Sequence, residues 1–553
     1  MGMDNKDSND GKMPWRRLPL RERLKTVVNI YFDELMKVPR DSWPSDERIG
    51  WDILSDMQKH IRDANAGAGK GDIRDVMVQV IPSSLVAEIV LRVHRFAMID
   101  FVGGDKDMTS SVLAMYMEDG LSAGTYTISE VVIRDVIRQF SNDISKTDLW
   151  NVIDILKRRL PVAEPCRDVR YIAVNNGIWD DAEKRLLPFT PDLVFTSKIT
   201  VDYNPYAADI PIHEPDGSLW TVEGWFSSIN SRKENVSFLW DVLAMSVRPN
   251  RCYRKVVFLY SDKGNNGKGT YCQLVKNLLG KGNYAGIGIA DFGKSFALSK
   301  LPYVQAIIAD ENSVGGFIED VSAMKALVTG DDIQIDRKYC DPITIKFYGI
   351  VIQCINGFPK FRDQSGSLLR RTAMIEMDQC FTGKEKLYIK GDYLGRKEVL
   401  EYILRKLLWM DVTDDTMRVP DGSNDLLLAY REYNDPVFEF WCEFKDEFVW
   451  DLLPFSFLYD LFKQWFKKKH PSGKVMSYRQ FIQNLRASAD ATGGWDTGVY
   501  VSVKPGNRMD NPERLIIDWD LEDWVNATYS GNDWRLKVSF PKRVNYKGLV
   551  RSN

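Results

Sequence analysis

The stretch Val256-Val-Phe-Leu-Tyr260-Ser-Asp-Lys-Gly-Asn-Asn-Gly-Lys-Gly-Thr270 decides how this chain reads. An apolar run enters it as a buried strand, and Tyr271-Cys-Gln-Leu-Val-Lys-Asn-Leu-Leu279 leaves it with helical spacing. Between them lies a glycine-bearing turn, Gly264-Asn265-Asn266-Gly267-Lys268-Gly269-Thr270. Such a turn can aim backbone N–H groups and a helix N-terminus at the phosphates of a nucleotide, with Lys268 reaching the β and γ oxygens. Asp262 stands where the usual pattern has glycine, and Gly269 where it has Ser or Thr. Thr270 is then the nearby hydroxyl for Mg²⁺. Taken alone, the stretch also fits a plain Gly-Asn turn between strand and helix.

Its neighbours favour the phosphate reading. Tyr303-Val-Gln-Ala-Ile-Ile-Ala-Asp310-Glu311 is an apolar strand ending in two carboxylates. A phosphoryl-transfer site uses one carboxylate to organise the magnesium shell and a second to polarise the attacking water. A third strand, Ile350-Val-Ile-Gln-Cys-Ile-Asn356, ends in an amide able to hydrogen-bond the γ-phosphate or the lytic water. Then Ser365-Gly-Ser-Leu-Leu-Arg370-Arg371-Thr372 offers two adjacent arginines, which suit a planar cation presented to a neighbouring subunit's nucleotide.

These four elements, in this order, resemble the superfamily 3 helicases, and among them the phage and plasmid P4-like and poxvirus D5-like primase-helicase group. The resemblance covers about residues 235–380. It implies an AAA+ P-loop NTPase core with ATP and Mg²⁺ as cofactors: Lys268, Asp310, Glu311 and Asn356 act in catalysis, and Thr270 and Asp310 hold the metal. Alignment to the last motif favours Arg371 as the finger, with Arg370 second. Met324-Lys-Ala-Leu-Val-Thr-Gly-Asp-Asp332 matches the motif that leads, in that family, into a β-hairpin lining the channel of a hexameric ring. Arg337, Lys338 and Tyr339 fall on this hairpin. Two cations beside an aromatic ring neutralise phosphate and offer a stacking face to single-stranded DNA.

Composition is compatible with this reading. The chain has 553 residues, room for several cores, and a formal net charge of −3, so DNA contact must come from local clusters. Its seven cysteines form no CxxC pair and its four histidines complete no ligand spacing. We therefore expect no zinc site, reduced thiols, no membrane segment and a cytoplasmic location in the bacterial host of a phage or mobile element. Residues 1–12 are polar and expected to be disordered.

Residues 1–75 read as a helical segment, periodic from Leu20 to Arg62, with a break at Ala64–Gly71. Residues 76–232 form an α+β unit similar to the D5 N-terminal domain, with Asn-Gly in Val174-Asn-Asn-Gly177 as a hairpin signal. The helicase domain spans 233–415, and 411–424 is expected to be a polar linker. In 430–553, helices at Val437–Trp441, Phe455–Trp465 and Ser477–Arg486 precede alternating segments at Val499–Lys504 and Arg514–Trp519. Three helices and a β-ribbon suggest a winged helix, with Arg479, Gln483 and Arg486 on the reading face and Lys467-Lys-Lys-His470 and Lys474 near phosphates. Only about 75 mostly helical residues precede the D5-like region, so no primer synthesis is expected.

The function implied is an ATP-dependent helicase of a phage or mobile element, doubling as origin-binding initiator. Its partners would be single-stranded and origin DNA, other copies in a ring, and host replication proteins. Two rivals remain: a DNA-stimulated remodelling or loading ATPase without strand separation, and a non-hydrolysing DNA-binding scaffold.

Overall fold

The computed structural model describes residues 18–552 except 71, 102–110, 313–316, 319–320, 339, 362–366, 413–416, 472, 498–501 and 539–541. Residues 1–12, Tyr339 and part of the first C-terminal alternating segment therefore lie outside the described residues.

Near-continuous apolar runs, buried on both faces, build the central sheet. Its strands are β1 (Val256–Tyr260), β2 (Tyr284–Ala285), β3 (Ala306–Ala309), β4 (Ile350–Ile355) and β5 (Thr372–Glu376), in the order β2-β3-β4-β1-β5, and every pair is parallel. Val257, Leu259, Ile308, Ile352 and Ile375 pack on one face against helix α1 (Lys268–Leu279) and the helices Lys233–Ser246 and Lys397–Trp409. Val256, Phe258, Ile307, Val351 and Met374 fill the other face. The chain passes from β1 to the far edge, returns through β3 and β4, then crosses β1 to add β5. This reversal opens a crevice at the carboxyl ends of the strands.

The helical periodicity of Leu20–Arg62 resolves into two helices, Leu20–Leu35 and Asp46–Ala66, because Pro39 and Pro44 interrupt it. Leu24, Phe32, Ile49 and Ile53 share one core with Leu85, Ile89, Ile133 and Val152, so the first helices and the α+β region are continuous in packing. The Asn175-Asn176 hairpin forms as expected, pairing Val174 with Gly177. Residues 172–229 pack into the same core as the central sheet, through Trp179, Trp225 and Phe226. The expected linker 411–424 is shorter than read: helix Asp421–Asn434 begins inside it, and the buried Ser423 hydroxyl accepts the Met374 N–H at 2.9 Å.

Helix α1 stops at Gly280, whose φ of +89° an L side chain rarely adopts. A Cβ there would lie 2.0 Å from Thr200 Oγ1. Gly280→Ala is therefore expected to lower stability by about 1–3 kcal/mol, read as an earlier urea-unfolding midpoint at unchanged slope.

In the C-terminal part the three expected helices form, at Pro436–Phe444, Phe455–Lys469 and Tyr478–Thr492. They enclose a separate aromatic core of Phe440, Trp441, Phe462, Trp465 and Phe481. The ribbon differs from expectation. Arg514–Trp519 is not a strand: Leu515–Asp518 is a helical turn that sends Leu515 and Ile516 into the core, with the Leu515 N–H 3.5 Å from the buried Glu513 carboxylate. The strands that close this region are Leu452–Pro454, Trp495–Asp496 and Gly548–Arg551, drawn from far apart in sequence.

Candidate functional site

The turn after β1 is shaped by two left-handed residues, Asn265 (φ +58°) and Gly267 (φ +84°). Left-handed residues alternating with right-handed ones turn successive N–H groups inward, a geometry suited to anions. Asn tolerates this region better than other side chains. Gly267 caps α1, so Lys268 is its first residue. The Lys268 side chain is only 6% exposed and its ammonium donates to Asn266 Oδ1 at 3.0 Å. Asn266 is itself buried and donates to the Lys263 carbonyl at 2.6 Å. Burial pushes the Lys268 ammonium below the usual lysine value. A desolvated cation held by a neutral amide, with no carboxylate partner among the described residues, is poised to receive an anion.

Asp310 follows β3. Its Oδ2 takes an ion pair from Lys276 of α1 at 2.6 Å, whereas Oδ1 is buried with no hydrogen-bond partner among the described residues. Glu311 is exposed beside it. Asn312 pins this loop, donating to Gln353 Oε1 and the Cys354 carbonyl, both at 3.0 Å, and accepting the Ile289 N–H at 2.8 Å. Asn356, past the end of β4, is also exposed.

All of Gly264–Thr270, Asp310, Glu311 and Asn356 line one cleft of about 1180 Å³. Sequence reading missed its far wall, contributed by Trp220, Trp225, Ile229, Phe381, Leu387 and Ile389, with Lys384, Lys386 and Lys390. That wall is tied to the turn: the Phe381 N–H donates to the Asn265 carbonyl at 2.8 Å, and Asn265 Nδ2 donates to the Glu385 carboxylate. An apolar wall opposite a cationic turn accommodates a ring system carrying phosphates.

The donor set fits a magnesium ion brought with phosphates. Asp310 Oδ1 is an orphaned carboxylate oxygen, and Thr270 offers a hydroxyl from the first turn of α1 on the same cleft. Among the described residues no three His, Cys, Asp or Glu side chains gather as a metal cluster. A nucleotide-borne Mg²⁺ needs only one or two protein oxygens.

The remaining residues singled out from the sequence lie elsewhere. Arg370 is exposed, while Arg371 is half-buried and donates from Nη1 to the Ser367 carbonyl at 2.9 Å. Neither lines the cleft of its own chain. The expected hairpin forms from Ile333–Arg337 and Cys340–Ile345, antiparallel, with Ile333, Ile335, Ile343 and Ile345 packed inward. Lys338 is exposed at its turn, and Arg337 half-buried. Arg479 and Gln483 are exposed on helix Tyr478–Thr492, but Arg486 donates to the Thr497 carbonyl at 3.0 Å and braces the following strand. Lys469 pairs with Glu439 and Glu443, and Lys468 lies over the Trp519 ring.

This is a mixed α/β protein with a parallel sheet whose carboxyl edge carries the cleft. Three stretches match known families: residues 70–222 the D5 N terminal like family, 259–371 a family of unknown function (DUF5906), and 432–526 the Poxvirus D5 protein-like family. The two D5-type matches bear out the resemblance to the D5-like primase-helicase group. Among solved structures, the A-form apo C-terminal region of NrS-1 aligns at 10% identity and TM-score 0.41, over 73% of this chain and 86% of that one. A second apo structure of that region aligns at 11% identity and TM-score 0.42, over 77% and 97%. Among the described residues no helix is long and apolar enough to cross a membrane.

Proposed function

We propose that this chain is an ATP-dependent DNA helicase of the superfamily 3 type, with an AAA+ P-loop core, working in the replication of a phage or mobile element. The observation that carries the reading is Lys268: a buried cation at a helix start, ion-paired with no carboxylate among the described residues, opening into a cleft shared with Asp310, Glu311 and Asn356. Few arrangements other than a phosphate site reward keeping an ammonium there.

In this reading the N–H groups of Gly264–Thr270 and the Lys268 ammonium bind the β- and γ-phosphates. Thr270 and Asp310 Oδ1 would hold Mg²⁺, which when bound neutralises the phosphate oxygens. Glu311 takes the proton of the attacking water, and Asn356 reads the γ-phosphate. The hydrogen bonds of Asn312 anchor the backbone next to Glu311, which lines the cleft. Arg370 and Arg371 lie off their own chain's cleft; in this reading one of them serves a neighbour's site in a ring. The exposed Lys338 and neighbouring Arg337 and Tyr339 would line the channel and grip single-stranded DNA. The C-terminal part would act as a winged-helix-like origin-binding unit, through Arg479 and Gln483, with Arg486 as a brace.

A forked duplex with a single-stranded tail tests the function. Strand separation that requires hydrolysable ATP supports it; DNA-stimulated turnover without separation means a remodelling ATPase instead.

The two arginines separate in a mixing experiment. With Arg371, the first choice from alignment, bonded to the Ser367 carbonyl, we take the exposed Arg370 as the finger instead. Arg370→Ala is expected to keep ATP binding and lower turnover about 1,000-fold, the size of a lost arginine finger. Doping it into wild type should then poison the assembly more than its share. Arg371→Ala removes the hydrogen bond to the Ser367 carbonyl and is expected to add a drop in thermal midpoint. Unchanged turnover in Arg370→Ala would return the finger to Arg371.

A further inference from the structure

The departure of the turn from the usual pattern at Gly269 has a counterpart in space. A Cβ built on Gly269 would have Lys390 Nζ as its nearest heavy atom, at 3.6 Å. The side-chain position that usually carries a metal-binding hydroxyl is therefore faced, in this chain, by an ammonium from the short helix Leu387–Gly391.

Three further observations single out Lys390 among the lysines of the far wall. Lys386 is already committed, its ammonium 2.6 Å from Glu214 Oε2, with the Tyr388 hydroxyl on the same carboxylate. Lys384 lies on the cleft but is not among the atoms nearest the turn. Lys390 is exposed and has no ion pair among the described residues. Its segment is held against the turn by the Phe381 N–H bond to the Asn265 carbonyl and by the Asn265–Glu385 contact. Lys390 and Lys268 line the same cleft beside the first turn of α1, where a helix N-terminus receives phosphate oxygens.

We propose that Lys390 is a second phosphate-binding cation of this site, taking the position that a hydroxyl and its metal usually fill, so that nucleotide binding depends only weakly on divalent metal. This rests on the nucleotide reading of the cleft. Like charges within a few ångströms repel, so an ammonium at Gly269 moves the metal toward Thr270 and Asp310.

The test is the affinity of a fluorescent ADP for the full chain, measured with Mg²⁺ and again with EDTA, in wild type, Lys390→Ala and Lys390→Arg. Expected are tight binding by wild type in EDTA, at least about tenfold weaker binding by Lys390→Ala in EDTA, and recovery in Lys390→Arg. With Mg²⁺ the loss in Lys390→Ala should shrink, since metal then supplies the missing charge. Because Lys390 is exposed, its replacement leaves the fold intact. Equal EDTA affinities for wild type and Lys390→Ala overturn the proposal while leaving the nucleotide site standing. Failure of wild type to bind with or without Mg²⁺ overturns both.

Discussion

Lys268→Ala is expected to remove ATP turnover, with kcat lower by about 100- to 1,000-fold, the cost of deleting one preorganised charge from a transition state. Nucleotide affinity should fall as well, because in the proposed site the ammonium would contact phosphate already in the ground state. The change has an unusual companion in stability. Lys268 is buried, its burial disfavours the charged form, and its one hydrogen bond goes to the Asn266 amide. Replacing it removes a desolvation cost that the Asn266 hydrogen bond and nearby charge offset only in part, so the thermal midpoint of the nucleotide-free protein should hold or rise. A structural lysine would behave oppositely, losing stability on truncation. Kinetics and thermal unfolding on the same preparation distinguish the two.

Glu311→Gln separates binding from chemistry. Glu311 is exposed at the mouth of the cleft, and the amide keeps its shape, so stability should stay within about 0.5 kcal/mol of wild type. ATP should bind as in wild type, while turnover drops about 100- to 10,000-fold with the loss of the general base. Filter-trapped, unhydrolysed ATP is the direct readout. Full turnover in this variant would shift the proton-accepting role away from Glu311 and leave Asp310, with its unpartnered Oδ1, as the carboxylate to examine.

Much of the cleft could be read from the chain because its parts are local. A continuous apolar run, a glycine-bearing turn and an amphipathic helix announce β1, the turn and α1 within 24 residues. Asp310 and Asn356 follow apolar strands whose burial on both faces makes them stand out. The far wall was invisible for the opposite reason. Residues 219–229 and 381–390 meet the turn only through tertiary contacts such as Phe381 N–H to Asn265 carbonyl. The same limit explains Arg370 and Arg371: adjacency in sequence cannot say which guanidinium folds back on Ser367. At Arg514–Trp519 the alternation suggested a strand, but Leu515 and Ile516 are buried side by side in a helical turn rather than alternating between a buried and an open face. The strand that closes that region, Gly548–Arg551, pairs with Leu452–Pro454 nearly a hundred residues away, where no local pattern could point.

The most direct test is steady-state ATP hydrolysis by the wild-type protein, assembled, in Mg²⁺, with and without single-stranded DNA. Turnover that rises on adding DNA is the expected result, since the proposed motor couples the Lys338 hairpin to the Lys268 cleft. Absence of turnover under both conditions would contradict the motor, and turnover indifferent to DNA would break the link between the cleft and the hairpin.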